Sequence, residues 1–243
     1  MSLFSIIKGL NKAMKPPVCT AVIAAAGLSQ RCEGEDKLFY LINGKPVLAY
    51  TLEAFQNCEY VIDIIVVAQE NKYDQISAIC SKYGCRKVSA IIKGGTTRPE
   101  SVMNGIAAVS GKANLIAIHD GARPCVEVEI INETIRKAAK FHAAAPAVPV
   151  TSTVKKVIDS VIAETVDRNS LYEIQTPQIF RAELIKAALT NVLRKSIEIT
   201  DDCMAAEIIG LPVHIVEGSR RNIKITDNED LKLVESILTE VQS

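Results

Sequence analysis

Three short segments of the chain carry cations, small residues and one carboxylate in patterns that suit a phosphate chain. The first is Ala24-Ala25-Ala26-Gly27, with Arg31 and Lys37 following 4 and 10 residues after the glycine (31 − 27; 37 − 27). Small side chains let a ligand approach the backbone, whose exposed amides then bind phosphate oxygens or base edges. A loop with this spacing can aim both cations at one phosphate chain. The second is Gly94-Gly95-Thr96-Thr97-Arg98-Pro99-Glu100-Ser101. A glycine pair running into a helix offers backbone donors at a helix N-terminus, and Arg98 and Ser101 would face the same space. The third is His119-Asp120-Gly121-Ala122-Arg123-Pro124. An Asp at the end of a buried apolar strand is placed to hold Mg²⁺ on a triphosphate, and would be costly there without a partner. His119 alternates to the other face and is assigned no part in the chemistry.

Each segment also has an ordinary reading. These are a glycine turn with two solvated cations, a strand-to-helix loop, and an Asp that caps the loop after it. The chain lacks G-x-G-x-x-G and G-x-x-x-x-G-K-[ST] at the first loop, so the usual dinucleotide and phosphate-loop readings are weak. Thr165-Val166-Asp167-Arg168-Asn169 and Thr176-Pro177-Gln178 can be turn chemistry alone. Glu217 to Lys224 reads by itself as an exposed basic loop.

The elements that must position these residues alternate. Apolar runs at 19–26, 61–68, 87–92 and 115–119 read as buried strands. Helical spacing is found over 45–57, 73–83, 99–109 and 128–141. Strands alternating with helices imply βαβ units and a mostly parallel sheet, with ligands bound beyond the carboxyl ends of the strands. The loops at Gly27, Gly94-Gly95 and Asp120-Gly121 should therefore meet. Beyond residue 147 the pattern changes. Residues 147–158 and 161–166 read as a hairpin turning at Asp159-Ser160, and a lone hairpin must pack on something. Helices at 183–193, 202–209 and 228–238, a strand at 213–216 and a segment at 222–225 complete the chain.

Length and composition bound the rest. The 243 residues suit one large domain or two small ones and can bury a sizeable core. A formal net charge of zero argues against a general nucleic-acid binder, so a polyanionic ligand must meet a local cluster of cations. Seven scattered Cys with no C-x-x-C read as reduced cytosolic thiols. The apolar stretch near the start is too short for a membrane span. Residues 1–17 read as an N-terminal extension stopped by Pro16-Pro17, and 18–243 as a single domain with an arm at about 147–168.

In their order along the chain, A-A-G-x-x-x-R…K, G-G-x-x-R-x-x-S, H-D-x-A-R-P, T-V-D-R-x-x-L, T-P-Q and E-G…N-I-K resemble the 2-C-methyl-D-erythritol 4-phosphate cytidylyltransferases of the non-mevalonate isoprenoid pathway. The resemblance runs from about Val18 to Leu238. It implies a Rossmann-like, three-layer α/β/α nucleotidyltransferase with a protruding hairpin arm. The implied reaction is CTP plus methylerythritol phosphate, giving the cytidine diphosphate adduct and pyrophosphate. It makes Arg31, Lys37 and Lys224 the catalytic cations and Asp120 the carboxylate for Mg²⁺ or another divalent cation. It gives the nucleotide Ala25, Ala26, Gly27, Gly95, Thr96, Arg98, Ser101 and Gly121, and the sugar phosphate Arg123, Thr153, Arg168 and Thr176. It also implies a cytoplasmic homodimer in which the arm reaches the neighbouring site. The chain departs from the family's habit at Ser29, Leu38, Thr96 and Gly121, where Gly, Gln, an acidic residue and Ala are common. Two rival readings are a ribitol-5-phosphate cytidylyltransferase and a catalytically silent nucleotide-binding protein of the same fold. Thr165-Val166-Asp167-Arg168 favours the isoprenoid enzyme over the first, and the joint presence of Arg31, Lys37, Asp120 and Lys224 argues against the second.

Overall fold

The computed structural model describes residues 17–27 and 36–240; the expected extension and Arg31 lie almost wholly or wholly outside them. Strand β1 (Cys19–Ala25) lies between β4 (Val61–Ala68) and β6 (Leu115–Asp120), and β5 (Val88–Lys93) forms the far edge beyond β4, all parallel. On the other side, β11 (Gln178–Arg181) runs antiparallel between β6 and β7 (Ala143–Pro149). Strand β7 in turn pairs with β10 (Tyr172–Ile174) and β12 (His214–Glu217), giving an eight-stranded, mixed but mostly parallel sheet.

Both faces of the central strands are apolar, as a sheet covered by helices on both sides requires. Ala21, Ile23, Ile64, Val66 and Ala117 point into a core with α1 (Val47–Asn57), α2 (Tyr73–Lys82), α4 (Val128–Phe141) and α7 (Asn228–Glu240). Their neighbours Val22, Val67, Ile116 and Ile118 point the other way, against α3 (Arg98–Ala107), α5 (Ala182–Lys195) and α6 (Asp202–Ile208). The expected three-layer α/β/α architecture is thus present.

The structure departs from the sequence reading, or adds to it, in four places. Helix α1 begins at Val47, because Lys45–Pro46 (β3) pairs with Leu41–Ile42 (β2) across an Asn43-Gly44 turn in which both residues have positive φ. Asn-Gly favours this turn. Residues 147–158 do not form one hairpin strand. Ala143–Pro149 is a buried member of the main sheet, and its alanines give little sequence signal because Ala is depleted in strands. The two strands β10 and β11, of three and four residues, are too short to show periodicity. Residues 222–225 form no strand, although Asn222 and Ile225 are buried.

The arm itself is Val154–Ile158 (β8) and Val161–Val166 (β9), paired apart from the main sheet. It turns at Asp159-Ser160, both in the left-handed region. Val157, Ile158, Val161 and Ile162 are exposed on it. Among the described residues no helix is long and apolar enough to cross a membrane.

Candidate active site

The carboxyl ends of β1, β5 and β6 meet around a cleft of about 550 Å³. Its lining joins the expected Ala25, Ala26, Gly27, Lys37, Gly95, Thr96, Arg98, Ser101, Asp120 and Lys224, residues far apart in sequence. Close approach explains the glycines. A Cβ on Gly94 would stand 2.4 Å from the Cβ of Ala26, and one on Gly95 would stand 2.3 Å from that of Glu100. A side chain at Gly94 would push this loop away from the end of β1, and one at Gly95 would push it away from the start of α3.

That loop is held by a capping box at the start of α3. The Thr97 hydroxyl accepts from the Glu100 amide, and Glu100 accepts from the Thr97 amide. Glu100 also accepts from the Thr96 amide and hydroxyl, at 2.7 and 2.6 Å. The Ser101 hydroxyl donates to the Thr97 carbonyl at 2.9 Å and accepts from the Gly95 amide at 3.0 Å. Ser101 therefore fixes the shape of the base-side loop.

Asp120 organises the opposite wall. Its Oδ2 lies 3.0 Å from Lys224 Nζ and 3.5 Å from Arg123 Nε, and its Oδ1 lies 3.8 Å from Arg98 Nη2. Burial pushes this carboxyl up, but Lys224, Arg98 and Arg123 outweigh burial and hold it down at about 2. It is an anion at every physiological pH. Among the described residues that line the cleft, three cations (Lys37, Arg98, Lys224) stand against one carboxylate (Asp120). A neutral chain thus presents a locally positive site, as a polyphosphate needs. Among the described residues no three His, Cys, Asp or Glu gather as a metal cage. Asp120 fits a cation of another kind, one that arrives with a nucleotide and completes its shell from phosphate oxygens and water. Among the described residues, the cation paired with its Oδ1 is the more distant Arg98.

Lys37 Nζ donates to the Ile225 carbonyl at 2.7 Å. The segment carrying Ile225 and Lys224 is pinned from beneath. Asn222 donates to the Thr176 carbonyl at 2.9 Å, Gln175 donates to the Ser219 carbonyl at 2.8 Å, and Arg123 donates to the Asn222 carbonyl at 2.7 Å. Arg123 and Lys224 also line an adjoining cavity of about 280 Å³ with Glu173, Gln175 and Arg220. The two cavities share Lys224.

Two expected ligand contacts take other roles. The Gly121 amide donates to the Ala24 carbonyl at 3.0 Å and its carbonyl accepts from Thr51, so this buried glycine joins β1 to β6 and does not offer its amide to a ribose. The Thr176 hydroxyl, also buried, accepts from the Asp120 amide at 3.2 Å and meets His119 Nδ1 at 2.9 Å. It steadies Asp120 from behind and does not face a substrate. Thr153 and Arg168 are exposed at the base of the arm, with Arg168 donating to the Thr151 carbonyl at 2.5 Å, and neither lines either cavity of this single chain.

Some site residues gave no sequence signal. Asp202 is fully buried at the start of α6, 2.7 Å from Arg98 Nη2. Burial pushes its carboxyl up while Arg98 pulls it back. Gln178 accepts from the Asp202 and Cys203 amides, fixing this helix start. Gln69 lines the cleft and donates to the Ala26 carbonyl at 3.2 Å. Gln178 closes the T-P-Q segment, but no motif marks Asp202 or Gln69; only a run of consecutive Asp at 201–202 could have hinted at a cap.

His119 is assigned no part in the chemistry. It is fully buried, 4.9 Å from the Phe55 ring, and burial pushes its pKa down to about 3. The unfolded chain takes up a proton near pH 6.5 that the folded chain refuses until about pH 3. The His119 contribution to stability is therefore complete above pH 6.5 and falls as the pH drops toward 3. Between pH 7 and pH 5 this group is expected to cost roughly 2 kcal/mol of unfolding free energy, read from urea midpoints. His119→Asn should flatten that slope, and an unchanged slope contradicts a neutral buried imidazole.

Comparison with known proteins agrees along nearly the whole chain. The family model for 2-C-methyl-D-erythritol 4-phosphate cytidylyltransferase matches residues 19–240. The Dehalococcoides mccartyi (strain CBDB1) protein of that name is 42% identical over 219 residues, covering 90% of this chain and 95% of its own. The one from Caldanaerobacter subterraneus is 44% identical over 223 residues, covering 90% and 98%. The crystal structure of a 4-diphosphocytidyl-2C-methyl-D-erythritol synthase from Anaerococcus prevotii superposes with a TM-score of 0.82 at 31% identity, covering 92% and 96%.

Proposed function

Because the chain belongs to the 2-C-methyl-D-erythritol 4-phosphate cytidylyltransferase family, we propose that it transfers a cytidylyl group from CTP to 2-C-methyl-D-erythritol 4-phosphate in isoprenoid precursor synthesis. The observation that carries this reading is the cleft that gathers Lys37, Lys224, Arg98 and Asp120 with Gly95 and Ser101, Lys224 and Arg98 standing beside Asp120. A phosphate oxygen of the acceptor attacks the α-phosphorus of CTP. A new P–O bond forms, the bond between the α-phosphorus and its bridging oxygen breaks, and pyrophosphate leaves. The protein supplies no nucleophile; it positions two anions and neutralises charge.

The triphosphate lies along the small residues Ala25–Gly27. The base lies against Gly95, Thr96 and Ser101. Arg31, which falls outside the described residues, acts with Lys37 and Lys224 on the reacting phosphates. Lys37 exchanges the Ile225 carbonyl, and Lys224 exchanges Asp120, for phosphate oxygens. Each such charge-assisted bond contributes roughly 1.5–3 kcal/mol. Asp120 would hold Mg²⁺ or another divalent cation, which would neutralise charge on the triphosphate oxygens. Arg123 faces the adjoining cavity, which suits the acceptor phosphate.

Thr153 and Arg168 serve the acceptor from a second copy of the chain. The exposed Val157, Ile158, Val161 and Ile162 support an arm that packs on a partner in a homodimer. The enzyme works in the cytoplasm, a reading that the six free cysteines among the described residues support.

Pyrophosphate release with CTP is the direct test, with methylerythritol phosphate and ribitol phosphate as separate acceptors. Turnover with the first alone supports the proposal. Faster turnover with ribitol phosphate, or none with either, refutes it. Arg168→Ala is expected to raise the KM of the sugar phosphate at least tenfold with the KM of CTP near normal. Equal effects on both contradict its role. Mixing Arg168→Ala with Lys37→Ala subunits should restore about a quarter of the wild-type rate, since half the dimers are then mixed and each holds one intact site. No restoration would mean that Arg168 acts within its own chain.

A further inference from the structure

Helix α2 ends in a geometry that brings two cysteines together. Tyr83 is its C-cap and Gly84 follows in the left-handed region, at φ +66°. The Cys85 amide donates to the Cys80 carbonyl at 3.0 Å, closing a six-residue turn. This is the bond that defines a Schellman ending, in which the residue three before the cap and the residue two after it put their side chains against each other. An apolar pair usually fills those positions. Here both are Cys, so the turn pairs the two thiol-bearing positions.

Their surroundings differ. Cys85 is buried. Cys80 is partly exposed and lines a shallow cavity of about 400 Å³ between α2 and β5, with Tyr73, Ser77 and Ile91. Small molecules in solution thus reach Cys80 first. The hydrogen bond from Cys85 draws the Cys80 thiol below its ordinary value, while that bond and burial push Cys85 above its own. Thiolate character and access together select the attacking sulfur.

We propose that Cys80 and Cys85 form a reversible dithiol–disulfide pair at the end of α2, with Cys80 the attacking thiol and Cys85 the resolving one, and low-molecular-weight disulfides as the oxidant. The Cys80 thiolate attacks one sulfur of oxidised glutathione and expels a glutathione thiolate. The Cys85 thiolate then attacks the Cys80 sulfur of the mixed disulfide and expels the second glutathione. Two electrons pass from the protein thiols to glutathione disulfide, and the two protons the thiols lose are taken up by the leaving thiolates. The native turn pairs the two positions, so the second step is intramolecular. The pair is separate from the cleft and does not depend on the proposed reaction.

The sequence supplies a clean readout. Trypsin cuts after Lys72, Lys82 and Arg86, placing Cys80 in the peptide 73–82 and Cys85 in 83–86. The folded wild-type chain is to be equilibrated with excess oxidised glutathione, alkylated and digested. The two peptides are expected as a linked pair in most of the oxidised chains. Cys85→Ser should instead carry one glutathione on Cys80, and Cys80→Ser should keep Cys85 reduced. The linked pair should form at least about tenfold more readily in the folded chain than in urea, because the native turn raises the effective concentration of the thiols. Persistent glutathione on Cys80 of the wild type, or equal linkage with and without urea, overturns the proposal. The urea comparison uses unmutated protein, so a variant that fails to fold does not blunt the test.

Discussion

Lys37→Ala is expected to lower kcat by about 10²-fold or more while far-ultraviolet circular dichroism and the urea midpoint stay near wild type. The side chain reaches the cleft, where its ammonium donates to the Ile225 carbonyl, so its loss removes that hydrogen bond from the fold. That bond is worth roughly 0.5–1.5 kcal/mol, or up to about 3 for a charged donor. The larger effect falls on the reaction, where charge grows on the phosphate oxygens in the transition state and a cation already in place needs no reorganisation. Arg31→Ala should behave alike, since the proposal pairs both cations on the same phosphates. Steady-state rates decide the matter, and a loss below threefold for Lys37→Ala would sink the mechanism.

Asp202→Ala is expected to destabilise the protein by about 3–5 kcal/mol, because it leaves a largely buried guanidinium without its nearest anion. Arg98 Nη2 lies 2.7 Å from Asp202 and 3.8 Å from Asp120. With Asp202 gone, the carboxylates that still act on Arg98 are Asp120 and Asp201, and Asp120 already faces Lys224 and Arg123. Such a loss is a large share of the 5–15 kcal/mol that holds a typical domain together. Urea unfolding at pH 7 measures it. A change below about 1 kcal/mol would mean that water reaches the pair and screens it. In what remains folded, Arg98 should turn toward Asp120 and compete with any cation there, so the metal concentration for half-maximal activity should rise. Asp202→Asn, which keeps the shape and one acceptor, should cost less than Asp202→Ala.

Much of the site was legible because phosphate chemistry uses few residue types at strand ends. Ala25–Gly27, Gly95, Ser101 and Asp120 each follow an apolar run short enough to read as a strand, and such strands put their ends at one edge. The structure brings those segments together in one cleft as expected. The reading failed where local pattern and tertiary role part company. Gly121 and Thr176 sit inside motifs, yet their polar groups are consumed by Ala24, Thr51, His119 and the Asp120 amide. A motif gives residue type and position, and cannot say whether a hydroxyl faces a ligand or the strand behind it.

The same division holds for the fold. By itself the sequence determined the helices and long strands of the first half, since periodicity and apolar runs are local properties of the chain. It also determined the hairpin turn at Asp159-Ser160 and singled out Lys37, Arg98 and Lys224, cations that line the cleft. Only the tertiary structure decided that Ala143–Pro149 is a central strand, since alanines become strand where β11 and β12 supply their hydrogen bonds. It alone placed Asp202 behind Arg98 and set Cys80 against Cys85. Those pairings join residues by burial and chain reversal, which no local pattern encodes. The cations that could bind phosphate were written in the sequence; the carboxylates that aim and restrain them were selected by the fold, because a buried charge is tolerated only where a partner meets it.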